Sequence, residues 1–205
     1  VGKKIMTGVT GLGLCVFIIE HLFANFKLFV GADAFNLYTH NLMDLGWLLY
    51  VVEGLLAIAF LLHAVVGISI WLKKRQARPV PYAQVTNAGD PSRKSIYSVS
   101  MIYTGVLLLI FIVLHLKTFK YGPYYPAYID GVGEVRDLYR LVMEVYRDPI
   151  YVIFYTILMI LLGMHLRHGF WSAFQSLGVS NPRLTPVIYS VGILFAVVMG
   201  AGFLV

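Results

Sequence analysis

The chain has 205 residues, of which 59% are hydrophobic and 13% charged, with a mean hydropathy of +0.78. A soluble domain is nearer half apolar and a quarter charged, so this mix excludes an ordinary water-soluble domain and suits lipid as solvent, with room for five or six spans of about 20 residues. The net charge of +6 comes from bases beside apolar runs; topology explains them better than nucleic-acid binding, and no nucleic-acid partner is expected.

The first apolar run covers about 5–29. It follows Lys3 and Lys4 as a signal peptide would, but it lacks a small-residue cleavage site and carries Glu20, His21 and Asn25 near its end, so it reads as a retained helix. Because the chain begins at Val1 and not at methionine, further N-terminal sequence is expected ahead of it. The second run, about 45–72, is long enough to tilt or to project beyond the bilayer. The linker 76–95, rich in Pro, Gly, Asn and Ser, either docks a soluble partner or merely connects helices. The third run covers about 96–116. After it, the stretch 132–148 sets Val135, Leu138, Leu141, Val142 and Val145 at helical spacing. A short amphipathic helix at the outer surface is expected there, lying in the interface or capping the bundle. The fourth and fifth runs cover about 150–174 and 184–205. The predicted fold is all-α, one integral membrane bundle of five transmembrane helices over 1–205, plus that surface helix. No internal repeat or low-complexity tract is evident.

The bases give the orientation. With the N-terminus inside, the inner segments hold Lys3, Lys4, Lys73, Lys74, Arg75, Arg78, Arg93, Lys94, Arg167 and Arg183, and the second inner segment carries one acid, Asp90. The outer segments hold Lys27, Lys117, Lys120, Arg136, Arg140 and Arg147 among seven acids. Positive-inside bias therefore predicts a cytoplasmic N-terminus and an outer C-terminus. Cys15 is the only cysteine, so an intrachain disulfide and a cluster held by this chain alone are excluded. The absence of C-x-x-C-H excludes covalent c-type haem.

Five of the six histidines lie in apolar runs or at their edges: His21, His63, His115, His165 and His168. An imidazole in hydrocarbon is costly unless paired, which makes each one a functional hypothesis. Taken singly, each serves a structural hydrogen bond as readily as a ligand role. Depth adds a pattern. At 1.5 Å per residue, His21 lies about 25 Å from Lys4 and His115 about 30 Å from Lys94, both near the outer side. His63 lies about 15 Å from Lys73 and His165 about 15 Å from Gln175, both in the inner half. Four helices thus supply one histidine each, two per level. That suits two bis-imidazole haems, with His21 and His115 as the outer axial pair and His63 and His165 as the inner pair. Gly8, Gly11, Gly13, Gly67, Gly105, Gly163 and Gly169 either leave room for a flat macrocycle or serve close helix packing.

His168 can bond a propionate or be the ligand itself; His165 is preferred as the ligand. Arg167 pairs with a propionate or snorkels to lipid phosphate, and Lys117 and Lys27 can do the same outside. His40, in the outer loop, reads as solvated.

These residues resemble a known family. The segments are HLFAN at His21 to Asn25, LLHAVVG at Leu61 to Gly67, KKRQARPVPY at 73–82, HLKTFKYG at His115 to Gly122 and HLRHGFWS at His165 to Ser172. In order and at these depths, the chain is similar to the five-helix, two-haem cytochrome b membrane anchor of succinate dehydrogenases and fumarate reductases. The resemblance covers nearly the whole chain. It implies a subunit of complex II in the inner (cytoplasmic) membrane, with flavoprotein and iron–sulfur subunits on the cytoplasmic face and a higher oligomer of the complex as an option. Electrons would pass between the iron–sulfur subunit, two haem b groups and a quinone, expected to be menaquinone, with the dicarboxylate chemistry in the partner subunits. For the quinone site, Tyr38, Glu53 and Lys117 are outer candidates and Trp71 and Ser98 inner ones. Glu20 and Glu53 either carry quinone protons or bond a neighbouring helix. Two other readings stand beside this one: a two-haem quinol-oxidising subunit of another respiratory dehydrogenase, and a haem-free proton-coupled transporter, whose duplicated halves and broken helices are not evident here.

Overall fold

The computed structural model of the protein describes residues 2–77, 80, 95–179 and 181–205. Arg78, Asp90, Arg93, Lys94 and most of the linker 76–95, with its expected docking role, lie outside the described residues.

Helix α1 (Gly2–Asn25) runs into a 3₁₀ turn (Phe26–Phe29), and α2 (Ala32–Met43) follows. Helix α3 (Trp47–Gln76) and helix α4 (Ile96–His115) come next; α4 passes into a π-helical turn (Leu116–Lys120). Strands β1 (Pro126–Ile129) and β2 (Gly133–Arg136) form an antiparallel hairpin before α5 (Leu138–Val145), α6 (Pro149–Ser176) and α7 (Leu184–Gly202). Among the described residues, five segments are long and apolar enough to cross a membrane: Gly2–Phe29, Trp47–Gln76, Ile96–Lys120, Pro149–Ser176 and Leu184–Gly202. Such segments must be helical, because a helix satisfies every backbone group internally where no water can.

Local signals set the ends. The Ser95 hydroxyl accepts from the Ser98 amide at 3.4 Å, and the Ser98 hydroxyl accepts from the Ser95 amide at 3.0 Å, a reciprocal cap on α4. Asp148 accepts from the Ile150 amide at 2.9 Å, with Pro149 at the first position of α6. Gly46, at φ 57°, turns the chain from α2 into α3.

Helices α1, α3, α4 and α6 form a ring. Helix α1 packs on α3 and α6, and α4 packs on α6 and α3. Helix α7 covers α6 and touches α1. Cys15, Leu22, Leu166, Ala196 and Met199 make the core where α1, α6 and α7 meet. There a Cβ on Gly163 would sit 3.3 Å from the Ala196 carbonyl oxygen, the close backbone approach that small residues permit in lipid. Leu55, Ile58, Leu61 and Val65 on α3 face outward, as a lipid-facing surface requires.

One end of the bundle carries a folded cap. Asn36 of α2, 2% exposed, donates to Asp137 Oδ1 at 2.8 Å and accepts from the Tyr139 amide at 2.9 Å. Arg136 donates to the carbonyls of Phe119 (2.9 Å), Pro123 (3.0 Å), Lys120 (3.2 Å) and Gly122 (3.3 Å). It thereby satisfies groups that the end of α4 leaves open. Of the stretch 132–148, in which one short helix was expected to include Val135, only Leu138–Val145 is helical. Gly133, at φ 104°, and the pairing of Val135 with Ala127 hold the first part in a strand. Asp137 then accepts from the Arg140 amide at 3.0 Å and starts the helix at Leu138. Helix α2 was not expected either.

Candidate functional site

The ring brings four histidines together in two diagonal pairs. His21 on α1 meets His115 on α4, with ring centroids 5.7 Å apart and planes at 88°. His63 on α3 meets His165 on α6, at 6.2 Å and 66°. Two helices independently give the axial spacing. An added Cβ at Gly11 of α1 would lie 3.0 Å from His63 Cε1, and one at Gly105 of α4 would lie 3.4 Å from His165 Cε1. His21 and His115 each come ten residues after that glycine, so the two pairs lie about 15 Å apart along the bundle.

Polar partners fix the imidazoles of the His63–His165 pair. Thr10 Oγ1 lies 3.3 Å from His63 Nδ1, and Thr104 Oγ1 lies 3.1 Å from His165 Nδ1. Each hydroxyl has one proton and already donates it within its own helix. Thr10 donates to the Met6 carbonyl at 2.8 Å, and Thr104 to the carbonyls of Met101 (3.1 Å) and Ser100 (3.2 Å). With its own proton given to a helix carbonyl, each hydroxyl oxygen is open to accept an Nδ1–H from the imidazole, an arrangement that leaves Nε2 of both rings as the free lone pair.

The His21–His115 pair has an aromatic surround instead. Phe17 stacks on His21 at 5.5 Å, and Phe203 lies 5.8 Å from it. Phe111, Phe119 and Tyr155 lie 5.4, 5.2 and 6.3 Å from His115. The Tyr155 hydroxyl is 3.4 Å from His115 Nδ1.

The contacts expose a repeat that the sequence reading missed. Residues 10–22 and 104–116 share the pattern T-G-x5-F-x3-H-L. In each copy the threonine and glycine hold the other helix pair's histidine, while the phenylalanine lies against the copy's own histidine. The spacing of 11 residues from threonine to histidine is three helical turns, so both act on one face. His63 and His165 are each followed by a glycine four residues on. Aligning the chain on its histidines is the signal that finds this pattern.

The other expected residues fall as follows. Tyr38 donates to the Glu20 carboxylate, which neighbours His21 in sequence. Burial first, and then this bond, push the Tyr38 hydroxyl up to about 12. Glu53 forms an ion pair with Lys120, while Lys117 is exposed on the same π-helical turn. Lys27 lies over the Phe23 ring at 5.4 Å. Arg167 stacks on Tyr97 at 3.8 Å and donates to the Tyr189 hydroxyl at 3.1 Å. His168 is half-buried, with Arg167 and Lys74 as charged neighbours. Trp71 lies under Arg75 at 5.0 Å, and the Ser98 hydroxyl is engaged in the α4 cap. His40, expected to be solvated, has its Nε2 3.3 Å from Asp44 one turn further along.

The glycines sort into three groups. Gly11 and Gly105 seat imidazoles, whereas Gly8 and Gly163 serve helix packing against the carbonyls of Ala173 and Ala196. A Cβ on Gly13 or Gly67 would meet nothing within 4 Å, and one on Gly169 would meet Met101 Cε at 3.8 Å.

Compared with known proteins, the chain matches no family model, no curated protein and no solved structure.

Proposed function

We propose that the chain is the two-haem membrane anchor and electron-transfer subunit of a succinate:quinone oxidoreductase, with haem b held by His21 and His115 and a second haem b by His63 and His165. The observation that carries this reading is the two diagonal histidine contacts at two levels. A metal–imidazole bond of about 2 Å on each side, plus half of each ring, sets two axial ligands roughly 6 Å apart between centroids. The contacts of 5.7 and 6.2 Å are of that size. The Nε2 atoms of His63 and His165 would be the donors to haem iron, with each Nδ1 held by a threonine hydroxyl. Haem b in these positions supplies one-electron transfer between ferric and ferrous iron.

The chain's residues do the remaining work. The threonines orient the inner imidazoles, the aromatic surround keeps water from the outer pair, and the ring of helices fixes both. Arg167 and His168 at one end, and Lys27 and Lys117 at the other, are assigned to propionate carboxylates. The quinone, expected to be menaquinone, is assigned to the outer end. There Tyr38 with Glu20 offers a proton donor and a carboxylate beside His21, and Glu53 with Lys120 offers a second acid. Ser98 and Trp71 are weaker choices, because the cap and Arg75 occupy them. The N-terminus faces the cytoplasm, the flavoprotein and iron–sulfur subunits dock on the basic inner end, and α5 lies at the outer surface of the cytoplasmic membrane. The dicarboxylate chemistry belongs to the partners.

Isolation of the intact complex in mild detergent tests the assignment. A copurifying covalent-flavin protein and an iron–sulfur protein, with b-type absorbance that succinate reduces, are the expected result. A copurifying molybdenum or nickel protein would place the chain in another quinol-oxidising dehydrogenase. An intact complex without haem would leave the histidines to proton transfer.

A further inference from the structure

We propose that Thr10 and Thr104 are positioning residues that set the redox poise of the inner histidine pair apart from that of the outer pair. This rests on the reading that His63 and His165 hold a haem. The two threonines occupy the same place in the repeated pattern. Thr10 on α1 serves His63 on α3, and Thr104 on α4 serves His165 on α6. The glycine after each threonine admits the edge of the same imidazole. Thr104 is 2% exposed, so its hydroxyl has no competition from solvent.

Each Nδ1–H is taken to donate to its threonine hydroxyl, and the chemistry follows from that direction. An Nδ1–H that donates to an acceptor makes the opposite nitrogen more basic. Each hydroxyl oxygen is itself a stronger acceptor because its own proton is donated to a helix carbonyl, and such chains polarise cooperatively. A more basic axial nitrogen stabilises ferric iron over ferrous iron and lowers the midpoint potential. The outer pair has one such contact, and a longer one, where the inner pair has two. His115 faces the Tyr155 hydroxyl at 3.4 Å, and the ring contacts of His21 are with Phe17, His115 and Phe203. A threonine that bonds its own helix is ordinary in an apolar helix. That ordinary role does not account for an imidazole Nδ1 within reach of each threonine, His63 for Thr10 and His165 for Thr104.

The test is a redox titration of the b-type absorbance in the intact complex, with haem counted per chain. Thr104→Val is expected to keep both haems and raise the midpoint potential of one of them, and Thr104→Ser to restore it. Thr10→Val is expected to raise the same potential by less, because its contact is the longer of the two, 3.3 Å against 3.1 Å. Tyr155→Phe is expected to move the other haem. Loss of one haem in Thr104→Val with recovery in Thr104→Ser also supports the assignment, since only the hydroxyl is shared. Unchanged potentials in Thr104→Val, or a haem lost equally in Thr104→Ser, would overturn it. A wild-type complex without haem would overturn the underlying reading as well, and the count shows this before any variant is made.

Discussion

At Gly11 the space for a side chain is already taken by an imidazole. An alanine Cβ there would sit 3.0 Å from His63 Cε1, against 3.4 Å from His165 at Gly105. Overpacking of this kind costs about 1–3 kcal/mol. Gly11→Ala is therefore expected to lower occupancy of the proposed haem between His63 and His165 more than Gly105→Ala does, read as haem per chain; equal, full occupancy in both would contradict this. Tyr38 gives a pH-dependent prediction. Its folded value of about 12 lies above the ordinary value of about 10. Its contribution to stability is therefore complete below about pH 10 and lost as pH rises through about 12. The difference in ultraviolet titration between wild type and Tyr38→Phe should show a phenol ionising near 12, and a phenol ionising near 10 would refute the bond to Glu20. The histidines were legible in the sequence because an imidazole in hydrocarbon demands a partner, and depth grouped them as their rings now meet. The threonines were not, because their own-helix bonds look ordinary and their second partner lies 53 or 61 residues away.

At the scale of elements, the cap over one end depends on Asn36. Asn36→Leu removes the donor to Asp137 and the acceptor for the Tyr139 amide. It strands the partly buried Tyr139 amide, at a cost of about 1–3 kcal/mol at most. The expected result is a lower melting temperature in detergent and faster proteolysis of the 121–148 region, and an unchanged melt would mean that α2 and α5 are held by apolar contact alone. The five long helices were legible because apolar runs of this length admit few other structures in lipid. The cap was harder to read. Helix α2 is only 12 residues long and carries Asp33, Asn36, His40 and Asn41 within it. The hairpin depends on glycine dihedrals at Gly131 and Gly133, and Val135 fits a helical spacing as well as it fits a strand.

Across the whole molecule, α1 packs on α3 and α4 on α6, the threonine-to-histidine pattern recurs on α1 and α4, and α7 stands outside that ring. The repeat runs in parallel, and the residues it repeats are the histidines and the side chains touching them. The proposed orientation makes the hairpin turn an outer feature. Asp130→Cys is expected to react with a membrane-impermeant maleimide on intact cells, and reaction only after permeabilisation would reverse the topology. The most direct measurement is the haem content of the purified complex, from the reduced-minus-oxidised spectrum and haem extraction. The account predicts two non-covalent b haems per chain, with one lost in His21→Ala and a spectrally different one lost in His63→Ala. A complex with no haem, or one that keeps both in either variant, would contradict it.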